Sequence, residues 1–432
     1  MPRQLSNGAW VGILVVATIA AGGWAYWRFQ GQSSPPALPE VAFAGASQEL
    51  AELAVLPTLD TPVPTGKTLL WSSAFALAWR RLRDELAREP IRLDYATAQV
   101  DRLNADDHAD TDWANGDLLA MAGLARQAFE SRVQRRYRSL FADRPVPTLP
   151  LRANEVAVYA VGQLHQTFEQ AFFPGDEPLI FRDASGRTTA VRSFGVFEPA
   201  QAAGALGKQV QVEYFSDEGE EAGRPQWIVD LDRTSQPYQV LVARLPLRAT
   251  LAETWAVLEA KRAGYAQQKR PERRVDRLVV PALSFRLEHR FEELESPDKH
   301  FLNPRLAGLH LGLAMLHLEF RLDHQGTRPA PRATPNPGHG PSQALLADGP
   351  FLVAVKKRTA KQPIVLLWIA TADFLEKHPK PKQLKKLQSS KQGRIGQGSM
   401  PLRLACCQKL GDEGKAGLSS ERSRPNTNRM AS

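Results

Sequence analysis

An α+β fold is predicted, on three observations. Helical periodicities come early in the chain, strand-like alternation dominates from residue 155 onward, and no βαβ rhythm links them. The 432 residues are 43% apolar, enough to bury a large core. Cysteine number and composition exclude a disulfide scaffold, a collagen-like chain and a wholly disordered protein.

Taken in order, residues 68–71 form a short apolar run. Phe75, Trp79, Leu82 and Leu86 follow at helical spacing and predict an amphipathic helix. Phe129, Val133, Tyr137 and Leu140 mark a second helix, with Arg126, Arg132, Arg135 and Arg136 largely off its apolar face. That basic face suits a polyanion or, more simply, solvent. Strands are predicted at 155–161, 179–182 and 188–194, the last two joined by a hairpin loop from Asp183 to Gly186. Further strands follow at 227–231, 238–245, 278–288, 314–323, 350–356 and 364–370. Between them, Thr250 and Glu253 stand three apart as a capping box and open a helix with Leu251, Trp255 and Leu258 inward. No internal repeat is present.

The two ends differ from this body. From Ala9 to Trp27 no residue is charged, Arg3 and Arg28 flank the run, and Trp10, Trp24, Tyr26 and Trp27 lie near its ends. A helix over 9–27 spans about 28 Å, close to a hydrocarbon core, with aromatics at interfacial depth. The expected arrangement is a single-pass membrane anchor with the body extracytoplasmic. A cleaved signal peptide and a secreted body is the alternative.

Four segments result: 1–30 an anchor or signal, 31–66 a Pro-rich stalk with a short helix at 48–53, 67–376 the folded domain, and 377–432 a disordered basic tail. The formal charge of +9 belongs to that tail. Residues 377–432 hold 13 Lys and Arg against 3 Asp and Glu, leaving 42 against 43 in the rest. The folded body is near neutral, and no nucleic-acid partner is expected. Cys406 and Cys407 sit in the tail and staple nothing in the body.

No phosphate loop, zinc-ligand spacing or nucleophile elbow appears, so no catalytic residue, metal or cofactor is expected and the chain reads as a non-enzyme. His310 and His317 near Glu319 and Asp323 form the nearest approach to a metal set. Strand alternation alone puts His317, Glu319 and Asp323 on one side of a sheet.

The last strands carry a resemblance. His317-Leu-Glu-Phe-Arg-Leu-Asp-His-Gln-Gly-Thr327 resembles the sheet strand of serpins that ends in a Gly-Thr hinge, and Asp348-Gly-Pro-Phe351 resembles their Asp-x-Pro-Phe motif. The loop between His324 and Pro350 is similar in length to the family's reactive loop. Pro281-Ala-Leu-Ser-Phe285 is similar to the upstream Pro-Lys-Phe strand. Val158-Tyr159, then Phe168-Glu-Gln-Ala-Phe172, resemble the central strand leading to Trp-Glu-x-Pro-Phe, with Phe168 in place of tryptophan. Leu69-Leu-Trp-Ser-Ser73 is a weaker likeness. The resemblance runs from Leu69 to Phe374.

It implies a fold of helices packed on large sheets, with strand 155–161 beside strand 317–323 and a gap or frayed loop between them. It also implies a mechanism. A serine protease acylates on the loop, which inserts as a new central strand and drags the enzyme across the molecule.

The loop suits that role poorly. On family parity Thr327, Pro329, Pro331 and Ala333 would face inward after insertion, and Arg328, Ala330 and Arg332 outward. Pro329 and Pro331, in the hinge that begins at Gly326, have no N–H to give a central ladder. Each leaves a buried carbonyl without its donor, at about 1–3 kcal/mol. Family spacing puts the scissile region at His339-Gly340-Pro341, where a following proline makes a poor substrate. The expectation is a membrane-anchored or secreted serpin-like protein in a family of serine-type endopeptidase inhibitors, here non-inhibitory and acting as a binding or scaffold protein. Its partner would be a serine protease or another extracytoplasmic protein. The alternative is an unrelated α+β extracytoplasmic surface-binding module.

Overall fold

Strand pairing begins well before residue 67. β1 (Phe43–Ala46) lies parallel to the strand Leu283–Arg290, from Phe43↔Phe285 to Ala46↔Glu288. Phe43 also packs on Phe374, their ring centroids 6.1 Å apart. Leu53–Leu56 pairs in parallel with Thr68–Ser72. The stalk expected over 31–66 is corrected accordingly: from Phe43 on, it belongs to the folded body. Leu53, Val55 and Leu56 are buried there. Pro57, Pro62 and Pro64 come after the strand, where a missing N–H interrupts no ladder. The helix expected at 48–53 is a single 3₁₀ turn, Ser47–Glu49.

The computed structural model describes residues 41–379 except 143, 147, 153, 202–204, 218–223, 269–274, 296–299 and 331–343. The apolar run at 9–27, most of the expected tail and the middle of the loop lie outside the described residues. Among the described residues, no helix is long and apolar enough to cross a membrane. The folded body extends slightly past the expected boundary at 376, because Lys377 bridges Val191 and the His378 N–H donates to the Ala190 carbonyl at 3.0 Å.

Helix α1 (Ser73–Arg81) opens where the Ser72 hydroxyl accepts from the Ala74 N–H. Every residue from Ser73 to Trp79 is buried, so this is a core helix, not the amphipathic one its spacing predicts. Small residues at 74, 76 and 78 let the surrounding layers close on all sides. It runs into a π-helical turn, Leu82–Ala87. β2 (Leu118–Leu124) and helix α2 (Gln127–Leu140) follow, the helix setting Phe129, Val133 and Tyr137 against Leu119, Tyr159, Leu313 and Met315. Then come β3 (Glu155–His165) and the short β4 (Phe168–Gln170). Helix α3 (Leu251–Gln267) begins at Thr250, whose hydroxyl accepts from the Glu253 N–H at 3.1 Å. It buries Leu251, Trp255 and Leu258, the residues predicted to face inward.

β5 (Leu283–Arg290), β6 (His310–Leu322) and β7 (Gly326–Arg328) complete the elements around the loop. The sheet that carries the loop has the order β1-β5-β6-β3-β2. Within it β6 and β3 are parallel, while β5/β6 and β3/β2 are antiparallel. A seven-stranded sheet lies behind α3, its middle formed by Tyr238–Arg244, Phe351–Lys357 and Val365–Ile369. A four-stranded sheet includes Ala344–Leu346, where the chain leaves the loop, beside Arg277–Pro281. The expected strands are present, with 188–194 and 278–288 each broken in two. The class is α+β.

Candidate functional site

The loop departs from the end of β6. At Asp323 the chain bends: the carboxylate accepts from Arg321 Nε at 2.6 Å and from the Gln325 N–H at 2.8 Å. The carbonyls of His324 and Gln325 accept from the N–H groups of Phe172 and Phe168, at 3.0 and 3.1 Å. β7 then pairs in parallel with β4, Gly326↔Phe168 and Arg328↔Gln170. A Cβ at residue 326 would stand 2.2 Å from the Ala171 nitrogen, so only glycine passes there. Beyond it the attachments are light. The Thr327 hydroxyl donates to the Glu169 carbonyl at 2.9 Å, Gln170 Nε2 donates to the Pro329 carbonyl, and Arg328 pairs with Glu169 at 3.2 Å.

β4 is itself firmly seated. Its Glu169 N–H donates to Asp232 Oδ2 and its Gln170 N–H to Gln209 Oε1, both at 2.7 Å. Phe168 is fully buried against Phe172 and Phe194, with ring centroids 4.8 and 6.1 Å away. Phenylalanine thus fills the position where the family resemblance has tryptophan.

Of the sequence-selected residues, Gly326 is half-buried, Thr327, Arg328 and Pro329 are exposed, and Ala330 is half-buried. Pro331, Arg332, His339, Gly340 and Pro341 lie outside the described residues.

Beneath the hinge, β6 and β3 are neighbours, as the resemblance implies. Their parallel ladder runs from His310↔Glu155 to Arg321↔His165 with one irregularity, at Gly312. The expected gap or frayed loop between them is absent, because the two strands bond each other directly.

A buried ionic cluster lies over the upper end of this ladder. The Glu319 carboxylate accepts from Arg144 Nη2 at 2.8 Å and from Arg286 Nε at 3.0 Å. It lies 2.8 Å from His165 Nε2. These residues come from β6, β5, β3 and the connection after α2, so one carboxylate ties three adjacent strands to the chain crossing them. Burial, joined by the charges of Arg144, Arg321 and Arg286, lowers the His165 pKa to about 4. At neutral pH the imidazole is uncharged and donates one N–H to Glu319.

Sequence reasoning singled out Glu319 for another chemistry and missed Arg144, His165 and Arg286. Only the strand register, which sets Arg286 opposite Glu319, brings them together. The remaining members of the considered metal set are dispersed. His310 faces Glu155 at 3.5 Å, His317 packs on the Tyr159 ring at 5.4 Å, and Asp323 holds Arg321. Among the described residues no group of three His, Cys, Asp or Glu could hold a metal ion.

No protein-family model matches the chain, and no curated protein sequence matches it. Among solved structures it is similar to thyroxine-binding globulin complexed with thyroxine, at 13% identity and TM-score 0.44, over 71% of this chain and 93% of that one. It is similar to Tengpin, a thermophilic serpin in its native state, at 11% identity and TM-score 0.43, over 72% and 90%. Native protease nexin-1 with heparin is matched at 10% identity and TM-score 0.38, over 56% of this chain and 66% of that one, just under two thirds. At these identities and scores the likeness is to the chain path of serpin structures, and it assigns no residue a role.

Proposed function

We propose that the chain is a serpin-like protein whose loop is presented as a binding element and does not insert as a strand. The observation that carries this reading is the closed β6–β3 ladder beneath a hinge that continues into Pro329 and Pro331. Insertion requires parting that ladder, whose hydrogen bonds each contribute a net of about 1 kcal/mol. It also requires breaking the Glu319 cluster, which spans both strands. In return the incoming strand offers two prolines where ladder donors are needed. Prolines instead stiffen an extended exposed loop, which lowers the entropy lost when a partner binds it.

The partner in this reading is an extracytoplasmic protein, a serine protease among the candidates by family resemblance. A membrane anchor at 9–27 and an extracytoplasmic body are part of the proposal and rest on the sequence alone. The test is incubation with trypsin-like and subtilisin-like proteases. The expected result is cleavage after Arg332, which precedes Ala333 and not a proline, without trapping and with the melting temperature nearly unchanged. An SDS-stable covalent complex, or a large rise in melting temperature after cleavage, overturns it.

A further inference from the structure

The sheet that carries the loop ends at an edge that no described strand covers: β2 is its outermost strand. Which backbone groups face outward follows from the two bonds that bracket the β2–β3 pairing. The Gln163 N–H donates to the Asp117 carbonyl at 2.9 Å, and the Ala125 N–H donates to the Glu155 carbonyl at 2.7 Å. In an antiparallel pair, residues alternate between bonding the partner strand and turning away from it. With the register Leu118↔Gly162 to Leu124↔Val156, the odd-numbered residues bond β3. Leu118, Ala120 and Ala122 therefore turn their N–H and C=O groups to the open side.

That side is a groove and not a flat edge. A cavity of about 700 Å³ runs along residues 118–122, between Arg81 at the end of α1 with Glu85 in the turn after it, and the Arg132, Arg135 and Arg136 face of α2. Arg81 is engaged by Glu85 and Asp110. The three α2 arginines are exposed, at i, i+3 and i+4, and no ion pair joins them to a described residue. The Arg132 guanidinium lies 5.8 Å from the Phe129 ring centre, which holds it over the helix. An unpaired strand edge recruits an extended backbone, and free guanidinium groups on the adjoining wall select carboxylates.

We infer that this groove binds an extended acidic segment of a partner protein, which adds as a strand to the outer edge of β2 while its carboxylates meet Arg132, Arg135 and Arg136. The chain's own candidate segments have the wrong charge. Residues 324–343 contain Arg328 and Arg332 and no Asp or Glu, and residues 377–432 carry the net positive charge. The loop or tail of a second copy is repelled for the same reason.

The probe is a fluorescein-labelled Val-Glu-Val-Glu-Val-Glu-Val peptide, titrated with the full-length chain and followed by fluorescence anisotropy. Saturable binding is expected, weakened at least tenfold by Arg135→Glu combined with Arg136→Glu, and at least tenfold when alternate peptide amides are N-methylated. Both substituted side chains are exposed, so an unchanged denaturation midpoint shows that the variant is folded. No binding, equal binding of the N-methylated peptide, or equal binding of the Val-Lys counterpart overturns the inference. So does binding of dextran sulfate or anionic vesicles in place of the peptide.

Discussion

The Glu319 cluster and the Arg328–Glu169 pair both tie the loop region to the sheet, and burial separates them. The Glu319 side chain is 5% exposed and Arg144 12%, whereas Arg328 and Glu169 are 70% and 45% exposed. Charges removed from water interact strongly and are costly to leave unpaired. Exposed pairs are screened and gain little. What holds β6 against β3 therefore lies under the hinge, within the sheet, while the hinge itself is lightly attached. The exposed attachments of β7 can therefore break without disturbing the strands beneath them.

The sharpest way to break that contrast is Glu319→Ala. It leaves the largely buried Arg144 and the partly exposed Arg286 guanidinium groups without their shared carboxylate. Removing one partner of a buried ionic group costs about 3–5 kcal/mol. Arg286 is partly exposed and recovers some hydration, so a loss near 3 kcal/mol is expected. Denaturant unfolding measures it, and a loss below about 1 kcal/mol would place the closing force in the ladder alone.

A smaller effect comes from His165, through pH. Its folded-state pKa is lowered to about 4, against an ordinary value of 6.5. Above about pH 7.5 the imidazole is essentially neutral in both states and adds no pH dependence. As pH falls from there toward 4, the unfolded chain takes up a proton that the folded chain refuses, and stability declines. The ceiling is about 1.4 kcal/mol per pH unit. The side chain is 35% exposed, so screening reduces the effect to about 1 kcal/mol between pH 7.5 and 4.5. His165→Gln keeps a donor toward Glu319 without the titration. The stability lost between those two pH values should be smaller in the variant by that amount, and equal losses would show that other histidines carry the acid sensitivity.

The same contrast governs what the sequence discloses. Periodicity located most strands because alternating apolar residues report burial on one face, and Thr250 announced α3 through its own capping chemistry. Helix α1 was visible as a helix but misread as amphipathic, because its alanines register neither a polar face nor a second buried one. The strand at Phe43 was hidden by prolines on both sides, which mark a linker only when nothing pairs with the chain between them. That the chain turns away from β6 before Gly326 was legible through local resemblance. The Glu319 cluster was not, because Arg144, His165, Arg286 and Glu319 are up to 175 residues apart and meet only through strand register.

The smallest expected effect sharpens the comparison from the hinge side. Arg328→Ala removes the pair with Glu169 and leaves the backbone bonds of β7 in place, including the Arg328 carbonyl that accepts from Ala171 at 2.9 Å. An exposed pair of this kind contributes about 0.5 kcal/mol or less, so the unfolding midpoint should hardly move. Trypsin susceptibility should hold as well, because Arg328 precedes Pro329 and is a poor cleavage site, while Arg332 before Ala333 is untouched. A variant destabilised by more than about 1 kcal/mol would mean that the hinge side chains, and not the buried cluster beneath them, keep the two strands together.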